Sequence, residues 1–254
     1  MIQRLDGTVA LVTGASSGIG AATAMALVAE GAAVALVARR KERLDQLVKE
    51  ITTLGGRAIA IEGDVSRREQ AEAAVAQAVK QFARLDILVN NAGVMLLGPA
   101  ADAPVEEWDR MIDVNLKGLL YCAHAGLPHL VSAAANGPRG VADMVNISST
   151  AGRVPRAGTA VYNLTKFGVG AFSEALRQEV TKQHVRVALV EPGAVKTELV
   201  DHVRSGVREG ILERFSHFER LEAEDIADAI VYIVTRQRRV AVNEMLIRPT
   251  EQEY

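Results

Sequence analysis

Cysteine, net charge and long hydrophobic runs are all scarce in this chain of 254 residues. The single cysteine, Cys122, excludes an internal disulfide and suits a reducing compartment. The net charge of −2 at pH 7 gives no basic field for nucleic acid or an anionic membrane. We therefore expect a cytoplasmic protein with neither kind of partner.

Hydrophobic residues make up 49% of the chain, but they occur in short runs. The first run, TVALVT (8–13), is followed by glycine and fits a strand better than a signal peptide. The most apolar later stretch, LLYCAHAGLPHL (119–130), contains two histidines and a proline and is too short to cross a bilayer. This length and composition suit a single α/β domain with a large core.

Strand-like runs of Val, Ile, Leu and Ala alternate with longer segments of helical periodicity. Examples are AVALVA (33–38), followed by KERLDQLVKEITTLG (41–55). Strands that are apolar on both faces predict a parallel sheet covered by helices on both sides. The predicted fold is therefore α/β, a single-domain, Rossmann-type doubly wound sheet over residues 1–254. The clearest loop, AAANGPRG (133–140), is too short to separate domains.

The glycine-rich stretch TGASSGIG (13–20) lies between the first predicted strand and the first predicted helix. Glycines let the backbone approach a ligand, and a helix N-terminus offers free N–H groups to phosphate. The spacing Gly14-x3-Gly18-x-Gly20 differs from the common G-x-G-x-x-G, so an ordinary glycine turn is the alternative. The strand–turn–helix context favours a dinucleotide pyrophosphate.

The same letters also match the G-x-S-x-G nucleophile elbow of α/β-hydrolases, with Ser16 as nucleophile. That elbow needs an oxyanion loop from an earlier strand, and this turn follows the first predicted strand. A serine hydrolase is therefore an unfavoured alternative.

The stretch YNLTK (162–166) places a tyrosine and a lysine on one face of a predicted helix. A phenol has a pKa of about 10, too high for efficient proton transfer at neutral pH. Burial raises that pKa, whereas a nearby cation lowers it. Taken alone, the pair Tyr162 and Lys166 could equally be a packed tyrosine beside a solvated lysine.

Seven motifs occur together in a characteristic order: TGASSGIG, GDV (63–65), NNAG (90–93), VNLKG (114–118), NISSTAG (146–152), YNLTK and PGAVKT (192–197). With them the chain, from about Leu5 to its C-terminus, resembles the short-chain dehydrogenase/reductases. The stretches NNAGVMLLGP, FSEALRQEV and IRPT are most similar to the NADP-dependent bacterial branch with clavulanic acid dehydrogenase and the serine and 3-hydroxy acid dehydrogenases.

This resemblance implies a catalytic set of Asn115, Ser149, Tyr162 and Lys166. Tyr162 would be the general acid/base, Ser149 would hold the substrate oxygen, and Asn115 would anchor a water. Lys166 would lower the tyrosine pKa and bind the nicotinamide ribose. The implied reaction is NADP(H)-dependent interconversion of a carbonyl and an alcohol, in a homotetramer or dimer. The implied halves are cofactor-binding (about 5–120) and catalytic (about 121–254).

The resemblance leaves two alternatives to carbonyl and alcohol chemistry. Enoyl reductases of similar fold have six residues between tyrosine and lysine, whereas three occur here, which favours carbonyl and alcohol chemistry. A non-catalytic NADP-binding sensor would have lost the tyrosine or the lysine, and both are present. His124 and His129 are five positions apart and predict no metal site.

The glycine turn and the matched motifs together assign the cofactor contacts. The expected residues are Gly14, Ser16, Ser17, Gly18, Ile19, Gly20, Arg39, Arg40, Asp64, Val65, Asn91, Ala92, Gly93, Tyr162, Lys166, Pro192, Gly193, Val195 and Thr197.

The end of the second predicted strand indicates which dinucleotide is used. NAD-binding units commonly place Asp or Glu there for the ribose 2′-OH, whereas this strand ends at Ala38 and is followed by Arg39 and Arg40. Guanidiniums bind phosphate bidentately, and cations at a helix N-terminus are otherwise unfavourable. We therefore predict NADP(H) in preference to NAD(H), with Arg39 the main contact and Arg40 supporting it.

Two segments depart from the family pattern or vary within it. The loop SAAANGPRG (132–140) is longer than usual and suggests a surface insertion. The segment 200–220 occupies the place of a variable substrate lid, where His202, Arg204, His217 and the phenylalanines would line the cleft. A solvated helix pair is the alternative for that segment.

Overall fold

The computed structural model describes residues 4–253, and its centre is a seven-stranded sheet. The strands are β1 (Val9–Thr13), β2 (Ala33–Ala38), β3 (Ala58–Glu62), β4 (Ile87–Asn90), β5 (Ala142–Ile147), β6 (Val185–Pro192) and β7 (Glu244–Ile247). They lie in the order β3-β2-β1-β4-β5-β6-β7, with every neighbouring pair parallel. The predicted doubly wound α/β sheet is confirmed. Residues 1–3 and 254 of the predicted domain lie outside the described part.

Helices cover both faces of this sheet. They are α1 (Gly18–Ala29), α2 (Lys41–Thr53), α3 (Arg68–Phe82), α4 (Val105–Met111), α5 (Leu119–Asn136), α6 (Ala160–Val180), α7 (Ser205–Phe215) and α8 (Ala223–Val234). Ala10 and Val12 of β1 pack on one face with α1, α2 and α8. Leu11 packs on the other face with α3, α5 and α6. This alternation arises because successive strand side chains point to opposite faces.

The topological switch point of the sheet lies between β1 and β4, because β2 and β3 lie on one side of β1 and β4 to β7 lie on the other. In β1, Val12 is in register with Leu36 of β2 and with Val89 of β4. The chain runs outward from β1 to β2 and β3 and then crosses to β4 on the other side of β1, which opens a crevice at the carboxyl ends of β1 and β4. The glycine-rich turn follows β1 at that crevice.

The expected loop at 133–140 is only partly a loop. Helix α5 continues to Asn136, so Ala133–Asn136 form its last turn, and Gly137 N donates to Ala133 O at 2.7 Å. Alanine is the strongest helix former, which explains why AAAN extends the helix. Residues 133–136 therefore belong to α5, and only a short loop separates them from β5.

Residues 105–136 do not form one continuous α-helix. Helix α4 ends at Met111, and Ile112–Gly118 form a π-helical segment before α5 begins. Edge strand β7 also departs from the expected pattern, because its residues are alternately exposed and half-buried. Within residues 4–253, no helix is both long and apolar enough to span a bilayer.

Candidate active site

A cavity of about 660 Å³ lies at the carboxyl ends of the strands. This volume is typical of a small-molecule or cofactor site. Most of the residues expected at a cofactor and catalytic site line it: Gly14, Ser16, Ser17, Gly18, Ile19, Arg39, Arg40, Asp64, Val65, Asn91, Ala92, Gly93, Ser149, Tyr162, Lys166, Pro192, Gly193, Val195 and Thr197. Gly20 and Asn115 do not line the cavity; they contact Gly14 and Val94, which do.

The glycine-rich turn is packed so tightly that side chains cannot replace its glycines. Gly14 has φ +66°, and a Cβ there would lie 2.9 Å from the Ala92 Cα. A Cβ at Gly20 would lie 2.4 Å from the Gly14 carbonyl oxygen. Helix α1 begins at Gly18, and the Ser17 side chain makes no capping hydrogen bond to its first N–H groups. The turn therefore fits a phosphate ligand.

The motif NNAG holds this turn against the sheet. Asn91 and Ala92 donate their backbone N–H groups to Thr13 Oγ1, each at 3.0 Å. Asn91 Nδ2 also donates to Thr13 O at 2.9 Å. Asn90 Nδ2 donates to Asn146 Oδ1 at 2.8 Å, which links β4 to β5. Thr13 and Asn146 were not among the expected site residues. A polar residue within an otherwise apolar strand is the sequence signal that could have indicated them.

Arg40 makes more contacts with the glycine turn than the sequence suggested. Its guanidinium donates to Ser16 Oγ at 2.9 and 3.1 Å and to Ser17 Oγ at 2.7 Å. Arg39 lines the cavity and also a shallower depression that it shares with Asp64. The structure thus brings both arginines to this end of the cavity, and it ties Arg40 rather than Arg39 to the turn.

Asp64 organises the segment that follows β3. Its Oδ1 accepts hydrogen bonds from Ser66 N at 3.0 Å and from Ser66 Oγ at 2.7 Å, and its own N–H donates to Gln70 Oε1 at 2.8 Å. These contacts fix the carboxylate on the cavity wall beside Val65, where the motif GDV was expected.

Tyr162 and Lys166 are both buried on α6, each with 6% of its surface exposed. Lys166 Nζ lies 5.8 Å from the centre of the Tyr162 ring and donates to Ile147 O at 2.9 Å. Burial raises the pKa of Tyr162 to about 12, against a hydrogen bond with Ser149 that lowers it. Burial also lowers the pKa of Lys166 to about 8. In the protein alone, burial therefore raises the phenol pKa, which is opposite to the lowering expected from Lys166.

Ser149 lies between the tyrosine and the segment that follows β6. Its side chain caps the short 3₁₀ turn Thr150–Gly152 by accepting from Ala151 N at 3.1 Å. Neighbouring Ser148 is buried and donates to Lys166 O at 3.0 Å. Both serines line the cavity; the Ser149 hydroxyl is hydrogen-bonded with Tyr162, whereas the Ser148 hydroxyl is engaged with the backbone of α6.

Asn115 lies in the π-helical segment and is only 2% exposed. Its Oδ1 accepts from Val94 N at 2.8 Å, and its Nδ2 donates to Val94 O at 2.9 Å and to Thr165 Oγ1 at 3.2 Å. These bonds hold the chain after NNAG to α6. A backbone-supporting role is thus visible, and the anchoring of a water remains a prediction.

The segment 200–220 forms a 3₁₀ turn, Glu198–His202, followed by α7. Its members that line the cavity include His202, Phe215, His217 and Phe218. Arg204 does not line it. Instead Arg204 Nε lies 3.1 Å from Glu107 Oε1, and its Nη1 donates to Asp102 O at 2.9 Å. The expectation for Arg204 is therefore corrected, because the ion pair turns it towards α4.

Ser16 has surroundings unlike those of a hydrolase nucleophile. Its Oγ accepts hydrogen bonds from Arg40, and a guanidinium cannot remove a proton from it. The structure therefore gives no support to the hydrolase alternative.

Sequence reasoning missed Gln252, which lies after the last strand. Its Oε1 accepts from Ala194 N at 2.9 Å, beside the motif PGAVKT. Glu251 and Glu253 also line the cavity. No local pattern marks this tail as part of a site, because only the packing of β6 and β7 brings it there.

Comparisons with known proteins agree with this geometry. The family model for short chain dehydrogenase matches residues 8–208. The chain is 36% identical over 241 residues to an uncharacterized oxidoreductase of Staphylococcus epidermidis, covering 95% of this chain and 96% of that protein. It is 40% identical over 248 residues to a glycine betaine reductase of Emericella nidulans; the match covers 98% of this chain and 19% of that longer protein.

Two solved structures support the same assignment. A closed form of serine dehydrogenase complexed with NADP+ has a TM-score of 0.88 and 35% identity, and 97% of each chain is covered. Serine dehydrogenase from Escherichia coli has a TM-score of 0.80 and 33% identity, with 97% of this chain and 100% of that chain covered. The chain therefore belongs to the short-chain dehydrogenase family and is an oxidoreductase of that family.

Proposed function

We propose that this protein is an NADP(H)-dependent oxidoreductase that interconverts a carbonyl and a primary or secondary alcohol. The observation that carries the proposal is the grouping of Ser149, Tyr162 and Lys166 on one wall of the cavity whose other end is the glycine-rich turn. A bound dinucleotide would supply or accept the hydride. Ser149, Tyr162 and Lys166 would then handle the substrate oxygen and its proton.

The cavity suits a dinucleotide for a steric and an electrostatic reason. Gly14 and Gly20 leave no room for side chains, so a ligand can approach the backbone before α1. Arg39 and Arg40 supply guanidiniums at the same end, and guanidiniums bind phosphate groups well. Solved relatives that contain NADP include serine dehydrogenase and a metagenomic short-chain oxidoreductase. These observations support NADP(H) rather than NAD(H).

Tyr162 would donate its phenol proton to the substrate oxygen in reduction and take it back in oxidation. The hydrogen bond between Ser149 and Tyr162 places the serine where it can also hold that oxygen as charge develops. A phenol whose pKa burial raises to about 12 is a poor base at neutral pH, so positive charge near the ring is required. Lys166, at 5.8 Å from the ring centre, is this chain's source of that charge.

The experiment is a panel of aldehydes, ketones and 3-oxo acids with NADPH, followed at the nicotinamide absorbance. We expect consumption with at least one carbonyl, and none with the Tyr162→Phe variant. The same panel with NADH tests the cofactor, since kcat/KM should be higher with NADPH. Stoichiometric NADPH binding without consumption of any carbonyl would instead favour the sensor alternative. Equal kcat/KM for the two cofactors would contradict the preference.

We further propose that the protein acts as a cytoplasmic homo-oligomer, a tetramer or a dimer. Supporting it, helix α6 exposes Leu164 at 57% and Phe167 at 42%, and α5 exposes Leu120 at 38%. Exposed apolar side chains on adjacent elements are typical of protein interfaces. Light scattering after gel filtration tests the proposal, and a monomer at micromolar concentration would contradict it.

A further inference from the structure

One carboxylate reaches the arginines at the cofactor end of the cavity from a distant part of the chain. Glu198 Oε2 lies 2.7 Å from Arg40 Nη1, and Glu198 Oε1 lies 2.5 Å from Arg43 Nη1. The sequence places no carboxylate at the end of β2 itself, and the tertiary structure brings Glu198 to these arginines from a distant segment.

This bridge joins two segments that line the cavity, because Arg40 and Glu198 both lie on its wall. Arg40 is bonded to Ser16 and Ser17 of the glycine turn on one side. On the other side, Glu198 follows Thr197 and begins the 3₁₀ turn that leads to α7. A Cβ at Gly18 would lie 3.0 Å from Thr197 Cγ2, so the two sides approach each other closely here. Ser17 and Thr197, on the two sides of the bridge, both line the cavity.

The bridge is ionised, but it is not locked in place. Hydrogen bonds from Arg43 and Arg40 lower the pKa of Glu198 to about 2, so its carboxylate is charged at neutral pH. The side chains of Glu198, Arg40 and Arg43 are 41%, 43% and 49% exposed. Ion pairs this exposed are weak, because solvent and salt screen them. Another anion can therefore compete for the same two guanidiniums.

We infer that Glu198 is a specificity-determining residue that competes with the ribose 2′-phosphate of the cofactor for Arg40 and Arg43. The inference rests on the proposed NADP(H) preference. Glu198 occupies the guanidinium donors in the protein without cofactor and repels a second anion. It therefore lowers the affinity for a 2′-phosphorylated ligand and leaves a ligand without that phosphate unaffected. The bound 2′-phosphate in turn weakens the bridge between Arg40 and Glu198.

The experiment measures binding of two adenosine probes by calorimetry. Adenosine 2′,5′-bisphosphate carries the 2′-phosphate, and adenosine 5′-monophosphate lacks it. In Glu198→Gln we expect the bisphosphate to bind about fivefold more tightly, the size of one exposed ion pair, with the monophosphate unchanged. The gain should shrink at high salt. Glu174→Gln is the matched control, since it removes the same charge from an exposed ion pair between Glu174 and Arg177 on α6.

The outcomes separate this inference from the proposed function. Equal binding of both probes to the unmodified protein would contradict the NADP(H) preference itself. With that preference present, an unchanged or weaker bisphosphate affinity in Glu198→Gln would overturn the inference. Equal tightening of both probes would also overturn it, because Glu198 would then act only as a general charge or a barrier.

Discussion

Lys166 Nζ lies 5.8 Å from the centre of the Tyr162 ring and is held there by a 2.9 Å hydrogen bond to Ile147 O. The helix spacing alone puts both side chains on one face. The bond to the end of β5 determines how far the ammonium lies from the phenol. Burial then raises the pKa of Tyr162 and lowers the pKa of Lys166.

Replacement of Tyr162 by Phe should remove turnover and leave cofactor binding intact. The phenol oxygen is the proposed proton donor, and the ring alone preserves the packing with Val94 and Met111. We expect kcat to fall by a factor on the order of a thousand, and NADPH affinity by less than about twofold. Rates with the best carbonyl of the panel and fluorescence titration of NADPH measure the two effects. Turnover near that of the unmodified protein would contradict the role of Tyr162.

Ser149→Ala and Ser148→Ala should have different effects. Ser149 is the proposed donor to the substrate oxygen, so its loss should lower kcat by a factor on the order of a hundred. Ser148 donates to Lys166 O inside the protein, so its loss should mainly lower the free energy of unfolding, by about 1 kcal/mol. Steady-state rates and urea unfolding of both variants make the comparison. An unaffected rate in Ser149→Ala would mean that another group holds the substrate.

Lys166→Met should weaken function while stabilising the fold at neutral pH. Burial lowers the pKa of Lys166 from 10.5 to about 8, so below pH 8 the folded protein bears the cost of a buried charge. We expect the free energy of unfolding at pH 7 to be about 2 kcal/mol higher in the variant than in the unmodified protein. This figure already subtracts the lost hydrogen bond to Ile147 O. Activity and NADPH affinity should both fall, since the lysine is proposed to serve both.

The sign of the pH dependence provides an independent check of that prediction. Between pH 8 and 10.5 the unfolded lysine still carries its proton and the folded one has lost it, so this group makes stability rise with pH. Tyr162 acts oppositely from pH 10 to about 12, where its unfolded form ionises first. Urea unfolding at pH 7, 8, 9 and 10 should show the rise in the unmodified protein and its loss in Lys166→Met. The same pH profile in both proteins would contradict the buried charge.

Asn115→Ala should destabilise the protein through the backbone of Val94. The substitution leaves the Val94 N–H and C=O without their buried amide partner, which should cost about 2–4 kcal/mol. The matched control is Asn136→Ala at the exposed end of α5, where the change should stay within about 0.5 kcal/mol. Urea unfolding compares the variants. Equal, small changes at both positions would show that the Asn115 bonds contribute little.

The double variant Ala38→Asp with Arg39→Ser should shift cofactor preference towards NADH. It adds a carboxylate that can accept the ribose hydroxyl and repel a 2′-phosphate, and it removes one guanidinium. We expect the NADPH to NADH ratio of kcat/KM to fall about tenfold or more. Arg40 remains bonded to Ser16 and Ser17, so the glycine turn should be undisturbed. An unchanged ratio would place the 2′-phosphate elsewhere.

Much of the fold could be predicted because its signals are local. The run AVALVA became β2 at Ala33–Ala38, and the glycine turn is followed by α1, as predicted. Periodicity could not reveal the π-helical segment around Asn115, since such short segments occur within longer helical stretches. The sequence also predicted a loop from residue 133, because the Asn, Gly and Pro residues that follow are typical of loops, whereas α5 ends at Asn136.

The sequence by itself determined the order of strands and helices, the glycine turn and the spacing of Tyr162 and Lys166. These features depend on neighbours within a few residues, where backbone sterics and helical periodicity act. Only the tertiary structure decided that Glu198 meets Arg40, that Gln252 contacts Ala194 and that Arg204 turns to Glu107. Each of these contacts joins distant segments, because the strand order of the sheet determines which loops meet at its carboxyl edge.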